Sequence, residues 1–138
     1  METLPGNQQV LQRIDHLQDH LQERMDQLTQ NVAHLAVHLV HVSRLAATAY
    51  NRSQGGAIKD TVYAEVPSAN GQFPTRRQPV PLPLLDTNEA INTLPDEILR
   101  EYAVFYGADE EVIHGGRGKQ LYFVYRAIGG RPFGPLPV

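Results

Sequence analysis

Residues 10 to 46 read VLQRIDHLQDHLQERMDQLTQNVAHLAVHLVHVSRLA, and apolar side chains return through them at helical spacing. Val10, Ile14, Leu17, Leu21, Met25, Leu28, Val32, Leu35, Leu39, Val42 and Ala46 are separated by 4, 3, 4, 4, 3, 4, 3, 4, 3 and 4 residues. A lone helix would leave such a seam in water, so the spacing predicts a coiled coil in which copies of the chain cover one another. Ile14 falls at heptad position a, Leu17 at d and Leu21 at a. The register then restarts, with Met25, Val32 and Leu39 at a and Leu28, Leu35 and Val42 at d. The eleven-residue step from Ile14 to Met25 relaxes the left-handed supercoil locally. These nine residues are the expected oligomer interface. A mixture of β-branched residues and leucine does not fix the order of assembly, but the breadth of the apolar sector favours a trimer or tetramer over a dimer.

The predicted helix runs from an Asn7 cap to about Tyr50, and Asn51 to Gly56, with low helix propensity and two glycines, is its natural stop. At 1.5 Å per residue it would make a rod of roughly 65 Å, far longer than a domain of this size needs for its own core. Beyond Met25 the helix also carries Ala33, Val37 and Val40 opposite the seam. That second apolar side calls for a cover other than sister helices, and the C-terminal part of the same chain, folded back, is the expected one.

The full chain has 138 residues, so about 85 are left for a globular part. Within it, residues 58–66 alternate as one strand, with Val62, Ala64 and Val66 opposite Thr61, Tyr63 and Glu65. The turn Ser68-Ala69-Asn70-Gly71 could return Gln72-Phe73-Pro74 as an edge strand, giving one short β-hairpin. Residues 79–85, Pro-Val-Pro-Leu-Pro-Leu-Leu, must be extended and are expected to strap Val80, Leu82, Leu84 and Leu85 over a core. Asp86 or Thr87 can cap a short helix through Asn92, and Thr93-Leu94-Pro95-Asp96 resembles a capping box for a next helix ending at Gly107. Ile98, Leu99, Tyr102, Phe105 and Tyr106 share a side of it. A loop over 108–118 leads to a last helix, Lys119 to Ile128, buried through Leu121, Val124, Tyr125 and Ile128 and stopped by Gly129-Gly130. The expected fold is therefore mainly α. A flexible lead (1–6), a coiled-coil helix (7–50) and a linker (51–57) precede a small α+β domain (58–130), and a Pro/Gly-rich tail (131–138) closes the chain.

Twelve basic against fifteen acidic side chains give a net charge of −3, which counts against general nucleic-acid binding. The absence of cysteine rules out disulfides, thiolate metal sites and a thiol nucleophile. The opening Met-Glu-Thr-Leu-Pro-Gly lacks a secretory leader, so an intracellular location, cytoplasmic or nuclear, is expected. His34, His38, His41 and Arg44 interrupt the longest apolar stretch, so no membrane span is expected.

Five histidines lie on the helix. His16, His34 and His41 fall at position c, and His20 and His38 at g, beside the seam, where protonation near pH 6 would crowd charge between helices. The i,i+4 pairs lack a third ligand and the HExxH arrangement, so no metal or cofactor is expected. Gly115-Gly116-Arg117-Gly118-Lys119 fails as a phosphate loop, because Ile113 and Gln120 stand where glycine and a hydroxyl residue are needed. Arg117 and Lys119 nonetheless open a helix and are the candidate residues for an anion or partner. The serines Ser43, Ser53 and Ser68 sit in no nucleophile motif, and no carboxylates pair in one, so an enzyme is not expected.

Ala49-Tyr50-Asn51, Glu65-Val66-Pro67, Asn70-Gly71, Phe73-Pro74-Thr75, Leu82-Pro83-Leu84, Ile91, Leu94, Tyr102, Tyr106-Gly107 and Ile128-Gly129 together resemble a fungal family. It is the C-terminal domain of proteins first noted as meiotically up-regulated gene products, and the likeness covers roughly residues 45 to 130. The resemblance implies a fungal intracellular protein of uncharacterised function and transfers no site residue. Residues 94–130, as two helices around an extended loop, are also similar in topology to SAP and LEM modules. That likeness implies a nucleic-acid or chromatin adaptor as the alternative to a self-assembling protein that displays its domains to an unidentified protein partner.

Overall fold

A computed structural model of the protein describes residues 5–54 and 61–132. The start of the lead (1–4), the end of the predicted linker (55–57), the opening of the predicted strand (58–60) and most of the tail (133–138) lie outside the described residues. The chain divides into two compact units, Met1–Val37 and His38–Val138.

Helix α1 spans Pro5–Ser53. It starts at Pro5, two residues before the expected Asn7 cap, because the fixed φ of proline suits a first helical turn. In the Met1–Val37 unit every residue from Gly6 onward is exposed. The Gln22 side-chain amide donates to Asp26 Oδ1 at 3.0 Å, an i,i+4 bond that supports the helix there, while the Thr29 hydroxyl turns back on the Met25 carbonyl at 2.9 Å.

In the His38–Val138 unit the last turns of α1 join a helical domain. Val40, Arg44, Ala47 and Thr48 are half-buried and Asn51 fully buried. In the register of the seam these are b, f, b, c and f, the side opposite a and d. The expected fold-back is therefore met from Val40 onward, whereas Ala33 and Val37 stay exposed. Gly71, at φ +85°, approaches so closely that a Cβ built on it would lie 2.7 Å from Val40 Cγ2.

The remaining elements are a 3₁₀ turn at Pro74–Arg76 and helices α2 (Asn88–Asn92), α3 (Asp96–Phe105), α4 (Glu110–Ile113) and α5 (Arg117–Ile128). The Thr87 hydroxyl caps α2 by accepting from Ala90 N–H at 3.0 Å, as expected. Thr93 caps nothing. Its hydroxyl turns back to the Glu89 carbonyl, and α3 opens directly after Pro95. Asp109 caps the short helix α4, which interrupts the loop expected over 108–118. Gly107 at φ +86° and Gly129 at φ +75° supply the left-handed residues that end α3 and α5.

The core is built from Leu99 and Tyr102 of α3, Leu121, Val124, Tyr125 and Ile128 of α5, and Ile91 of α2, closed by Tyr63, Val66, Leu82 and Leu85. Of the expected strap residues, Leu82 and Leu85 are buried while Val80 and Leu84 are exposed. Two buried leucines three residues apart match the threefold repeat of a proline-rich extended chain, not the twofold repeat of a strand.

The expected β-hairpin does not form, and there is no strand among the described residues. The turn itself is present, with Gly71 N–H on the Ser68 carbonyl and Ser68 N–H on the Gln72 carbonyl, at 3.0 and 2.9 Å. What fails is the pairing. Tyr63 N–H goes to the Asp86 carbonyl, Ala64 N–H and C=O go to the Asn51 side chain, and the Glu65 carboxylate takes Thr75 N–H and its hydroxyl. Pro74 has no N–H to offer a ladder and starts the 3₁₀ turn instead. The alternation breaks accordingly: Tyr63 and Val66 are buried and Val62 is exposed.

Candidate functional site

In the Met1–Val37 unit, Ile14, Leu17, Leu21, Met25, Leu28, Val32 and Leu35 line one stripe of α1 and are 43–62 % exposed. In the other unit, Leu39 and Val42 continue the a and d positions at 66 % and 58 %. Every residue of the expected interface is thus uncovered in the single chain. Large apolar side chains in soluble proteins are normally scattered when exposed, whereas here they form one sustained stripe. The five helix histidines are exposed as well, and no group of residues suited to a metal ion occurs among the described residues. By length and composition alone, Gly6–Ser53 is also long and apolar enough to cross a membrane.

Opposite the a and d side, the domain is held by polar groups with specific partners. Asn51 is fully buried. Its amide nitrogen donates to the Ile128 carbonyl at 2.7 Å and the Ala64 carbonyl at 3.1 Å, and its oxygen accepts from Ala64 N–H at 2.7 Å. One side chain therefore ties the end of α1 to the end of α5 and to the 61–66 segment. Gly129 completes this junction, since a Cβ there would fall 2.4 Å from the Thr48 carbonyl oxygen.

Four tyrosines repeat the pattern. The Tyr102 hydroxyl donates to the Pro83 carbonyl, Tyr106 to the Val66 carbonyl at 2.7 Å and Tyr125 to Asn92 Oδ1 at 2.8 Å, while Tyr63 meets Asn88 and the Arg131 backbone. Burial pushes the Tyr102, Tyr106 and Tyr125 hydroxyls well above the ordinary tyrosine range. Tyr63 is raised too, also by burial, against the opposing pull of its bonds with Arg131 and Asn88.

Arg117, singled out from the sequence, is engaged within the domain. Its guanidinium donates to the Asn92 carbonyl at 2.6 Å, the Leu94 carbonyl at 2.8 Å and the Asp96 carboxylate at 2.7 Å, clamping the α2–α3 junction to the start of α5. Lys119 is more exposed and reaches Glu111 only at 3.5 Å. The two residues thus differ in how much of their charge is left for a ligand. Asn51, which sequence reading treats as a helix stop, and the tyrosine hydroxyls carry no local signal, because their partners lie far away in the chain.

The family model described as Mug135-like, C-terminal domain matches residues 49–131. The chain belongs to this family. The matched segment begins just before Asn51 and ends at Arg131, so the Mug135-like domain takes in Asn51, the tyrosines and both ends of the Arg117 clamp, whereas the apolar stripe from Ile14 to Val42 precedes it. Membership brings no biochemical function with it, since the family's function is uncharacterised. No curated protein and no solved structure matches the chain.

Proposed function

We propose that the protein is a non-enzymatic homo-oligomer that assembles through the a and d residues of α1 and displays its Mug135-like domains to a protein partner inside the cell, in the cytoplasm or nucleus. The observation that carries this reading is the uncovered stripe from Ile14 to Val42, spaced by threes and fours. Burying it between copies removes apolar area from water at about 25 cal/mol per Å². A trimer or tetramer covers its broad sector better than a dimer does. Display of several domains on one assembly raises avidity for a partner without tight binding at any single site.

The length and composition of Gly6–Ser53 favour a second reading, a membrane span. It ranks below assembly because His34, His38, His41 and Arg44 would enter the hydrocarbon, at a cost of about 2.5–3.5 kcal/mol for the arginine alone. A chromatin adaptor ranks lower still, with Arg117 engaged by Asp96 and two carbonyls.

Light scattering on the whole chain tests the proposal. We expect a mass of about three or four chains in detergent-free buffer. Leu28→Asp with Leu35→Asp should reduce it to one chain while leaving the domain folded. A detergent-free monomer of the unaltered chain would overturn assembly, and insolubility relieved only by detergent would favour the membrane.

A further inference from the structure

A groove of about 330 Å³ lies where α5 ends, lined by Arg52, Tyr122, Arg126, Arg131 and the Gly129-Gly130 backbone. We propose that it binds a nucleotide-like ligand, a phosphate monoester carried beside a flat aromatic ring.

The argument starts from charge. The protein carries a net charge of −3, yet three arginines, Arg52, Arg126 and Arg131, line this one groove, and none has an ion-pair or hydrogen-bond partner for its side chain among the described residues. Arg77, Arg117 and Lys119, by contrast, each have a carboxylate. Three clustered cations repel one another, and an anion with several acceptor oxygens relieves that repulsion. Guanidinium forks match phosphate oxygens in pairs, which a lysine cluster would not do.

Arg52 and Arg126 lie in the last turns of α1 and α5, where the helix dipole favours cations. That accounts for each of them singly. It does not account for Arg131, which lies beyond α5. Nor do the arginines cap the end of that helix: the Tyr125, Arg126 and Ile128 carbonyls already accept from Gly130 N–H, Gly129 N–H and the Asn51 amide.

The ring half of the ligand is read from Tyr122. It is 59 % exposed, the one aromatic side chain at the groove that stays outside the core, whereas Tyr125 sends its hydroxyl inward to Asn92. A second groove of about 350 Å³, lined by Phe123 and Val112, flanks the same Tyr122 and Arg126, so a flat ring has apolar surface to rest on beside the charge. Volumes of this size are at the lower end for small-ligand sites.

Isothermal titration calorimetry of the full chain with AMP, inorganic phosphate and adenosine tests the site. AMP should bind saturably and about tenfold more tightly than either fragment, and added salt should weaken it. Arg126→Gln or Arg131→Gln should lower AMP and phosphate affinity together by about tenfold. Tyr122→Ala should lower AMP affinity about five- to tenfold and leave phosphate binding alone. Circular dichroism melts confirm that each variant is folded, and Arg52→Gln, outside α5, gives an independent variant. No saturable AMP binding, or AMP binding indifferent to all three arginine changes, overturns the proposal. Equal affinities for AMP and phosphate overturn its aromatic half, and a short single-stranded oligonucleotide binding a hundredfold tighter than AMP would replace the small ligand with a nucleic acid.

Discussion

The stretch of α1 before His38 and the domain that follows differ in how far they bury their apolar residues. In the Met1–Val37 unit, leucines such as Leu17, Leu28 and Leu35 are about as exposed as side chains on a free helix. In the His38–Val138 unit, Leu99, Leu121, Val124 and Ile91 are wholly shut off from water. The first region has one regular pattern and no tertiary partner within its unit. The second has weak regularity and many exact partners: an asparagine fork, tyrosine hydroxyls on backbone carbonyls and an arginine clamp. Under the proposed assembly, periodicity is what copies of α1 would share, while a small domain with short helices depends on individual polar contacts to fix one arrangement.

The largest effect should come from breaking the domain at Asn51. Asn51→Ala leaves Ala64 N–H and the Ala64 and Ile128 carbonyls buried without their partner. At about 1–3 kcal/mol for each buried group left unpaired, a loss of roughly 3–5 kcal/mol is expected. Urea unfolding followed by circular dichroism measures it. A loss below about 1 kcal/mol would mean that water replaces the amide and that the junction is not specified by this side chain.

Next in size is a matched pair of truncations, one from each region. Leu99→Ala in the domain core should cost about 2–5 kcal/mol at any protein concentration. Leu28→Ala, at 62 % exposure in the single chain, should change stability by no more than about 0.5 kcal/mol if α1 stays alone. If assembly buries it, the cost rises above about 1 kcal/mol and the unfolding midpoint shifts on dilution. The same substitution type, read in both regions over a dilution series, therefore separates intramolecular from intermolecular burial.

These contrasts explain what was legible in the amino-acid order. The a and d stripe of α1, the inward face of α3 through Leu99 and Tyr102, that of α5 through Leu121, Val124 and Tyr125, and the stops at Gly107 and Gly129 were all readable, because each follows from a local repeat or a single backbone requirement. The hairpin was misread because residues 61–66 alternate like a strand, while their hydrogen bonds go to Asn51 and Asp86 instead of a neighbouring strand. No local pattern announces such a partner from a different part of the chain. The outward Val80 and Leu84 have a related cause: the prolines impose a three-residue repeat, so only Leu82 and Leu85 of the four expected strap residues turn inward. The arginine groove escapes a sequence reading for a third reason, as Arg52 is remote in sequence from Arg126 and Arg131 and lines the same groove only where Asn51 joins the ends of α1 and α5.

The smallest effect sharpens the comparison through pH. The buried hydroxyls of Tyr102, Tyr106 and Tyr125 are held neutral in the folded domain, chiefly by burial, and Tyr63 shares the direction. In the unfolded chain they ionise near the ordinary value of 10.0. A raised pKa means that folding binds protons, so this contribution is complete below pH 10 and is lost as pH climbs above it towards the folded values. Thermal melts should be flat in this respect from pH 7 to 9 and begin to fall between pH 10 and 11, where only the onset is sampled. The seam of α1 contains no tyrosine, so light-scattering mass over the same interval should not follow the melts. Tyr106→Phe should blunt the alkaline fall, because it removes one ionisable group, even though it also costs the bond to the Val66 carbonyl at neutral pH. A melt that stays level to pH 11 would show that these phenols are wetter than their positions in the domain require, and that the polar contacts fixing its core are looser than those of Asn51.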